Sequence, residues 1–71
     1  MTTKEAINKA FDSYSVGDRF RGWEFKQRVS DFRPEVRTMY VDTILRQLRK
    51  FYHGRYRVIG SYDQSLYEKI S

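Results

Sequence analysis

The chain has no cysteine, one proline, four glycines and one histidine in 71 residues. Without cysteine, neither a disulfide nor a thiolate metal site can stiffen it, and a reducing, cytosolic setting is the expected one. A single histidine, His53, with no cysteine and no clustered carboxylates argues against a metal centre, because zinc sites draw several ligands from those residue types. Placed beside Gly54 at a helix end, His53 in its protonated form would suit the negative helix terminus. Long apolar runs are also missing. Nothing approaches the ~18 residues of a membrane span, and Met1-Thr2-Thr3-Lys4-Glu5 lacks the apolar stretch of a secretion signal. A soluble protein that stays where it is made is expected. No glycine-rich phosphate loop, no nucleophile–base pairing and no carboxylate pair is marked out by spacing. The sequence therefore predicts no enzyme, no cofactor and no small-molecule substrate.

What the chain does have is aromatic mass and positive charge. Aromatic residues make up 17% of it, within a hydrophobic fraction of 39%. A chain this short buries only about 60% of its unfolded surface, so a few large rings must supply much of the core. One domain spanning residues 1–71 is expected, with no repeat or linker. The net charge is +5, and it is unevenly placed. Residues 1–18 carry Lys4 and Lys9 against Glu5, Asp12 and Asp18, and residues 58–71 carry Lys69 against Asp63 and Glu68. The eleven lysines and arginines between them face only Glu24, Asp31, Glu35 and Asp42. A basic centre between weakly acidic ends is either a polyanion-binding face or a solvated surface.

Hydrophobic spacing divides the chain into elements. Thr2 and Glu5 stand at capping-box spacing, and Ala6, Ile7, Ala10, Phe11 and Tyr14 follow at helical period. Ser15-Val16-Gly17-Asp18 breaks that helix, and Val16 to Phe20 can form an edge strand if another strand pairs with it. A second helix is predicted from Trp23 to Phe32, with Gly22 as N-cap, Phe25, Val29 and Phe32 as its apolar stripe, and Arg33-Pro34 as its end. A third is predicted from Thr38 to Tyr52. Its Val41, Ile44, Leu45, Leu48 and Tyr52 fall within about 100° of arc, opposite Thr43, Arg46, Gln47 and Lys50, and Gly54 closes it. The period then changes to two. Arg55–Ile59 and Ser65–Ile70 read as strands around a turn at Gly60-Ser61-Tyr62-Asp63-Gln64. The fold class is α+β, with three helices, a short strand after the first, and a C-terminal β-hairpin.

Phe20-x-Gly22-x-x-Phe25-x-x-x-Val29, the run Asp42-Thr43-Ile44-Leu45-Arg46-Gln47-Leu48-Arg49-Lys50 and the returning strand Ser65-Leu66-Tyr67 together resemble the winged helix-turn-helix superfamily. The similarity is to its small bacterial, archaeal and phage DNA-binding members in particular. It covers nearly the whole chain and is one of pattern and element order. It implies that the third helix lies in the major groove of double-stranded DNA as the recognition element of a small transcriptional regulator or phage-type accessory factor. Bending of DNA in an excisionase-like role falls within the same resemblance. Tyr40, Thr43, Gln47 and Lys50 would form the exposed strip of that helix, with Arg46 at its edge, and such side chains can meet base edges. Arg37, Arg49, Arg55 and Arg57 would hold phosphates, and Lys26 and Arg28 on the second helix would reach the backbone. Asp42 and Asp63 oppose this reading electrostatically. Trp23 either covers the core beside Phe20, the favoured placement, or anchors a partner. Tyr62 at the wing tip has no settled role. A homodimer through the first helix or the hairpin is compatible with the sequence, and no membrane partner is expected. Two rival readings remain, a protein-interaction module on the same scaffold and single-stranded nucleic-acid binding through exposed tyrosines.

Overall fold

The computed structural model describes residues 1–60 and 66–71. Its elements are α1 (Thr3–Asp12), β1 (Arg19–Arg21), α2 (Gly22–Phe32), a 3₁₀-helix (Pro34–Thr38), α3 (Val41–Tyr52), β2 (Tyr56–Ile59) and β3 (Leu66–Lys69). The three strands form one antiparallel sheet in the order β1-β3-β2. Three helices, a strand after the first and a closing hairpin make a winged helix-turn-helix topology, the α+β arrangement expected from the sequence. The tip residues 61–65, including Tyr62 and Asp63, lie outside the described residues, as does the first residue of the predicted second wing strand, Ser65.

α1 starts where its capping box stands. The Thr2 hydroxyl accepts from the Glu5 amide at 3.2 Å, and the Glu5 carboxylate accepts from the Thr2 amide at 3.0 Å. These bonds from Thr2 hold the Glu5 carboxyl below its ordinary value. The first strand is shorter than the predicted Val16–Phe20. Val16 lies in the preceding turn, exposed, and the ladder proper runs Arg19–Arg21 against Glu68–Leu66. What pairs with it is β3, which leaves β1 at the sheet edge.

α2 begins at Gly22 rather than Trp23, with Arg21 as N-cap, whose amide donates to Glu24 at 3.2 Å. Gly22 is thus the first helical residue and not the cap. Its reason is proximity, since a Cβ there would lie 2.8 Å from Cδ1 of Leu45 and 3.2 Å from Cγ1 of Val41. Phe25 and Val29 are buried as expected, but Phe32 is not part of the core. It sits at the last turn of α2, and the buried apolar side chain in the following segment is Val36 of the 3₁₀-helix. Trp23 is 60% exposed and does not cover the core beside Phe20. It precedes Phe25 by two residues, about 200° around the helix, so burying Phe25 turns the indole outward.

α3 begins at Val41, three residues after the predicted start. Pro34 opens a separate 3₁₀-helix, the Thr38 hydroxyl donates to the Glu35 carbonyl at 3.0 Å, and Met39 and Tyr40 are extended. Those extended residues let the chain change direction before α3. Ile44, Leu48 and Tyr52 are buried, while Val41 and Leu45 are half-buried. Gly54, at φ +87°, lets the chain leave the helix in the left-handed conformation.

Rings fill the core. Phe20 stacks between Tyr14 (4.4 Å between centroids), Phe25 (5.3 Å) and Tyr67 (5.7 Å), and Phe11 stacks on Tyr52 at 4.3 Å. The Tyr52 hydroxyl donates to Asn8, tying α3 to α1. Burial raises the phenol values of Tyr14, Tyr52 and Tyr56, so all three stay neutral. Among the described residues, no helix is long and apolar enough to cross a membrane.

Candidate nucleic-acid interface

The outer side of α3 follows from its inner side. With Ile44, Leu48 and Tyr52 turned inward, the exposed polar positions are Asp42, Arg46, Arg49, Lys50 and His53, with Phe51 the one exposed apolar position among them. The polar positions, spaced by four, three, one and three residues, make one continuous helical stripe. Thr43 and Gln47 flank it, half-buried, and Tyr40, the N-cap, is 83% exposed. The open face is therefore centred nearer Arg46 and Arg49 than on the Thr43–Gln47 line. Among the described residues, Arg46, Arg49 and Lys50 have no carboxylate within ion-pair distance, and Asp42 beside them forms no ion pair.

The remaining basic residues named from the sequence fall into two groups. Arg37, exposed on the 3₁₀-helix, and Lys26, half-buried on α2, share a groove of about 410 Å³ with Trp23 and Val41. That groove reaches the first turn of α3. Arg55 follows the other end of α3, its guanidinium 5.2 Å from the Tyr52 ring centroid and 5.5 Å from that of Phe11.

Arg57 and Arg28 are occupied structurally. Arg57 and Arg19, both on the sheet surface, close on Glu68 at 2.6 and 2.9 Å. The carboxylate is nearly buried between two guanidiniums that remain more than half exposed. The hydrogen bond from Arg19, with help from Arg57, holds the Glu68 carboxyl below its ordinary value against the opposing effect of burial. Arg28 donates to the Ser13 hydroxyl at 3.0 Å and lies 4.0 Å from the Tyr14 ring centroid, so it turns toward the end of α1, away from Lys26. Sequence reading did not foresee the Arg19–Glu68–Arg57 group. Its signal is the cross-strand register Arg57↔Glu68↔Arg19, which exists only once β3 is placed between β1 and β2.

Among the described residues, no three histidine, cysteine, aspartate or glutamate side chains come together to hold a metal ion. What the surface offers is a set of unneutralised cations along and beside one helix, on a winged helix-turn-helix scaffold of a kind suited to nucleic-acid binding. No protein-family model, curated protein or solved structure matches the chain.

Proposed function

We propose that the protein binds double-stranded DNA with α3 in the major groove, as a small regulator or accessory factor without catalytic chemistry. The observation that carries this reading is the α3 stripe, where Arg46, Arg49 and Lys50 stand exposed without an acidic partner among the described residues. Three long cations on one open face of a short helix suit guanine edges and phosphates, and Gln47 and Thr43 beside them suit adenine edges and thymine methyls. Tyr40 sits at the leading end of the helix, where recognition helices approach the bases. Arg55 near the wing base, and Arg37 and Lys26 on the opposite shoulder, are proposed backbone contacts, and Arg57 contributes less because Glu68 neutralises it. Arg28 contributes less, because its guanidinium is engaged by Ser13 and Tyr14.

The test is a titration of labelled duplex with the wild-type chain and an Arg46→Ala/Lys50→Ala variant. Both residues are exposed, so their truncation is expected to change stability by no more than about 0.5 kcal/mol. The double variant is expected to bind roughly 10- to 100-fold more weakly, the scale of two solvent-exposed contacts of about 0.7–1.4 kcal/mol each. Gln47→Ala is expected to change preference among duplex sequences more than overall affinity. Unchanged affinity in the double variant would remove α3 from the interface.

A further inference from the structure

Trp23 is the chain's single tryptophan, and it stands exposed on the first turn of α2. Among the described residues it makes no stacked or cation–ring contact. Tryptophan is enriched among the residues that carry binding energy, because its ring joins a large apolar area to a polar N–H. The indole forms a ridge between two grooves of unlike charge. The one toward α1, about 430 Å³, sets Asp18, Glu24 and Asp31 against Arg28, which keeps its charge beside the Ser13 hydroxyl, and Arg19, which Glu68 neutralises. The one toward α3, about 410 Å³, holds Lys26 and Arg37 against Asp31 alone. Neither of those two cations has an ion-pair partner among the described residues.

We propose that the α3-side groove seats a sugar–phosphate strand of DNA. Lys26 and Arg37 bracket a phosphate, and the indole of Trp23 packs on the adjoining deoxyribose with its N–H available to a phosphate oxygen. The occupant follows from the lining. Lys26 and Arg37 outnumber Asp31 there, which gives the groove the sign that a phosphodiester requires, while Trp23 and Val41 supply apolar surface for the sugar. The groove also adjoins the start of α3. Val41 both lines the groove and opens α3, and Gly22 brings the start of α2 onto Val41 and Leu45. The acidic groove on the other side of the indole repels the strand and so fixes the side on which it passes. This site rests on the duplex-binding reading above, as the place where one backbone flanking the occupied major groove crosses the protein.

Because the tryptophan is unique, it reports on its own contact. A labelled short duplex is followed by anisotropy while Trp23 emission and its quenching by acrylamide are recorded in the same titration. Emission is expected to shift and quenching to fall, with the midpoint of the anisotropy curve. Trp23→Ala is expected to weaken binding roughly five- to tenfold without changing the salt slope, and Trp23→Phe to recover part of that loss. Lys26→Ala and Arg37→Ala are each expected to lower the slope of log affinity against log salt by about 1. Duplex binding by anisotropy with Trp23 emission and quenching unchanged would overturn the groove site and leave α3 binding standing. Protection of Trp23 by an acidic protein, with none by duplex, would overturn it in favour of a protein partner. Absence of any duplex binding would overturn both readings together.

Discussion

Lys69 brings an ammonium group into the interior of a protein that has little interior to spare. Its Nζ donates to the carbonyls of Phe11 and Tyr14, at 3.0 and 2.8 Å, and lies 4.7 Å from the Phe11 ring centroid. These carbonyls stand at the C-terminal end of α1, where the helix dipole favours a cation. The lysine thus joins β3 to α1 by charge-assisted bonds. Lys69→Met keeps the stem and removes the donors, and should cost roughly 1.5–3 kcal/mol. In thermal unfolding of a domain this size each kcal/mol lowers the midpoint by about 4–8 °C, and an unshifted midpoint would show that the bonds contribute nothing net. Glu68, the preceding residue, faces the opposite side of β3 and gives the molecule a pH dependence. Donation by Arg19, supported by Arg57, depresses its folded value. A depressed carboxyl stabilises the fold above its unfolded value, near ~4.3, and this contribution is lost as pH falls through the folded value below it. Wild-type stability should therefore decline on acidification from about pH 5. Glu68→Gln should flatten that decline, while also lowering stability at neutral pH. Parallel acid profiles for the two proteins would reject the assignment.

At the scale of elements, the end of α3 decides where the wing begins. Gly54 adopts φ +87°, and no atom lies within 4 Å of where its Cβ would be, so substitution meets a backbone cost and no clash. Gly54→Ala should destabilise by roughly 1–2 kcal/mol with near-unchanged duplex affinity per folded molecule, measured by denaturant unfolding beside the DNA titration. A stabilised variant would mean that the turn is not held in this conformation. This glycine was legible in the sequence because its neighbours change from period 3.6 to period 2 across it. The helices were legible for the same reason, as were Ile44, Leu48, Tyr52, Phe25 and Val29 as core. The illegible parts depend on contacts distant in sequence. Trp23 already falls off the Phe25–Val29–Phe32 stripe in the sequence, but whether it covers the core beside Phe20 depends on the fold, which leaves it exposed. Phe32 continues the α2 stripe by spacing, but α2 ends there and the chain supplies Val36 to the core instead. The start of α3 was misread because Pro34 opens a separate 3₁₀-helix, and Met39 and Tyr40 are extended between the two. For the candidate site, the basic face of α3 was visible in the sequence. The neutralisation of Arg57 was not, since its partner Glu68 is contributed by a strand whose neighbours only the fold determines.

At the scale of the whole molecule, folding converts a sequence-level excess of charge into a smaller set of available cations. Arg19 and Arg57 share Glu68, Arg33 meets Glu35 at 3.5 Å, and Arg28 is turned onto Ser13 and Tyr14. Lys26, Arg37, Arg46, Arg49, Lys50 and Arg55, all from the segments that form or flank the helix-turn-helix, have no ion pair among the described residues. These six residues set the scale of counterion release on binding. If four to six of them meet phosphates, log affinity for duplex should fall with log salt at a slope of about −4 to −5. Single strands of equal length release fewer counterions per contact, about 0.7 against 0.9, and lack the groove that receives α3, so their binding should be both weaker and less steep. Affinity measured for both forms at several salt concentrations separates the alternatives. A slope near zero for duplex would mean that the cationic face does not meet a polyanion. Equal or stronger binding of single strands would transfer the interface from the α3 stripe to the exposed rings, Tyr40 and Trp23 among them.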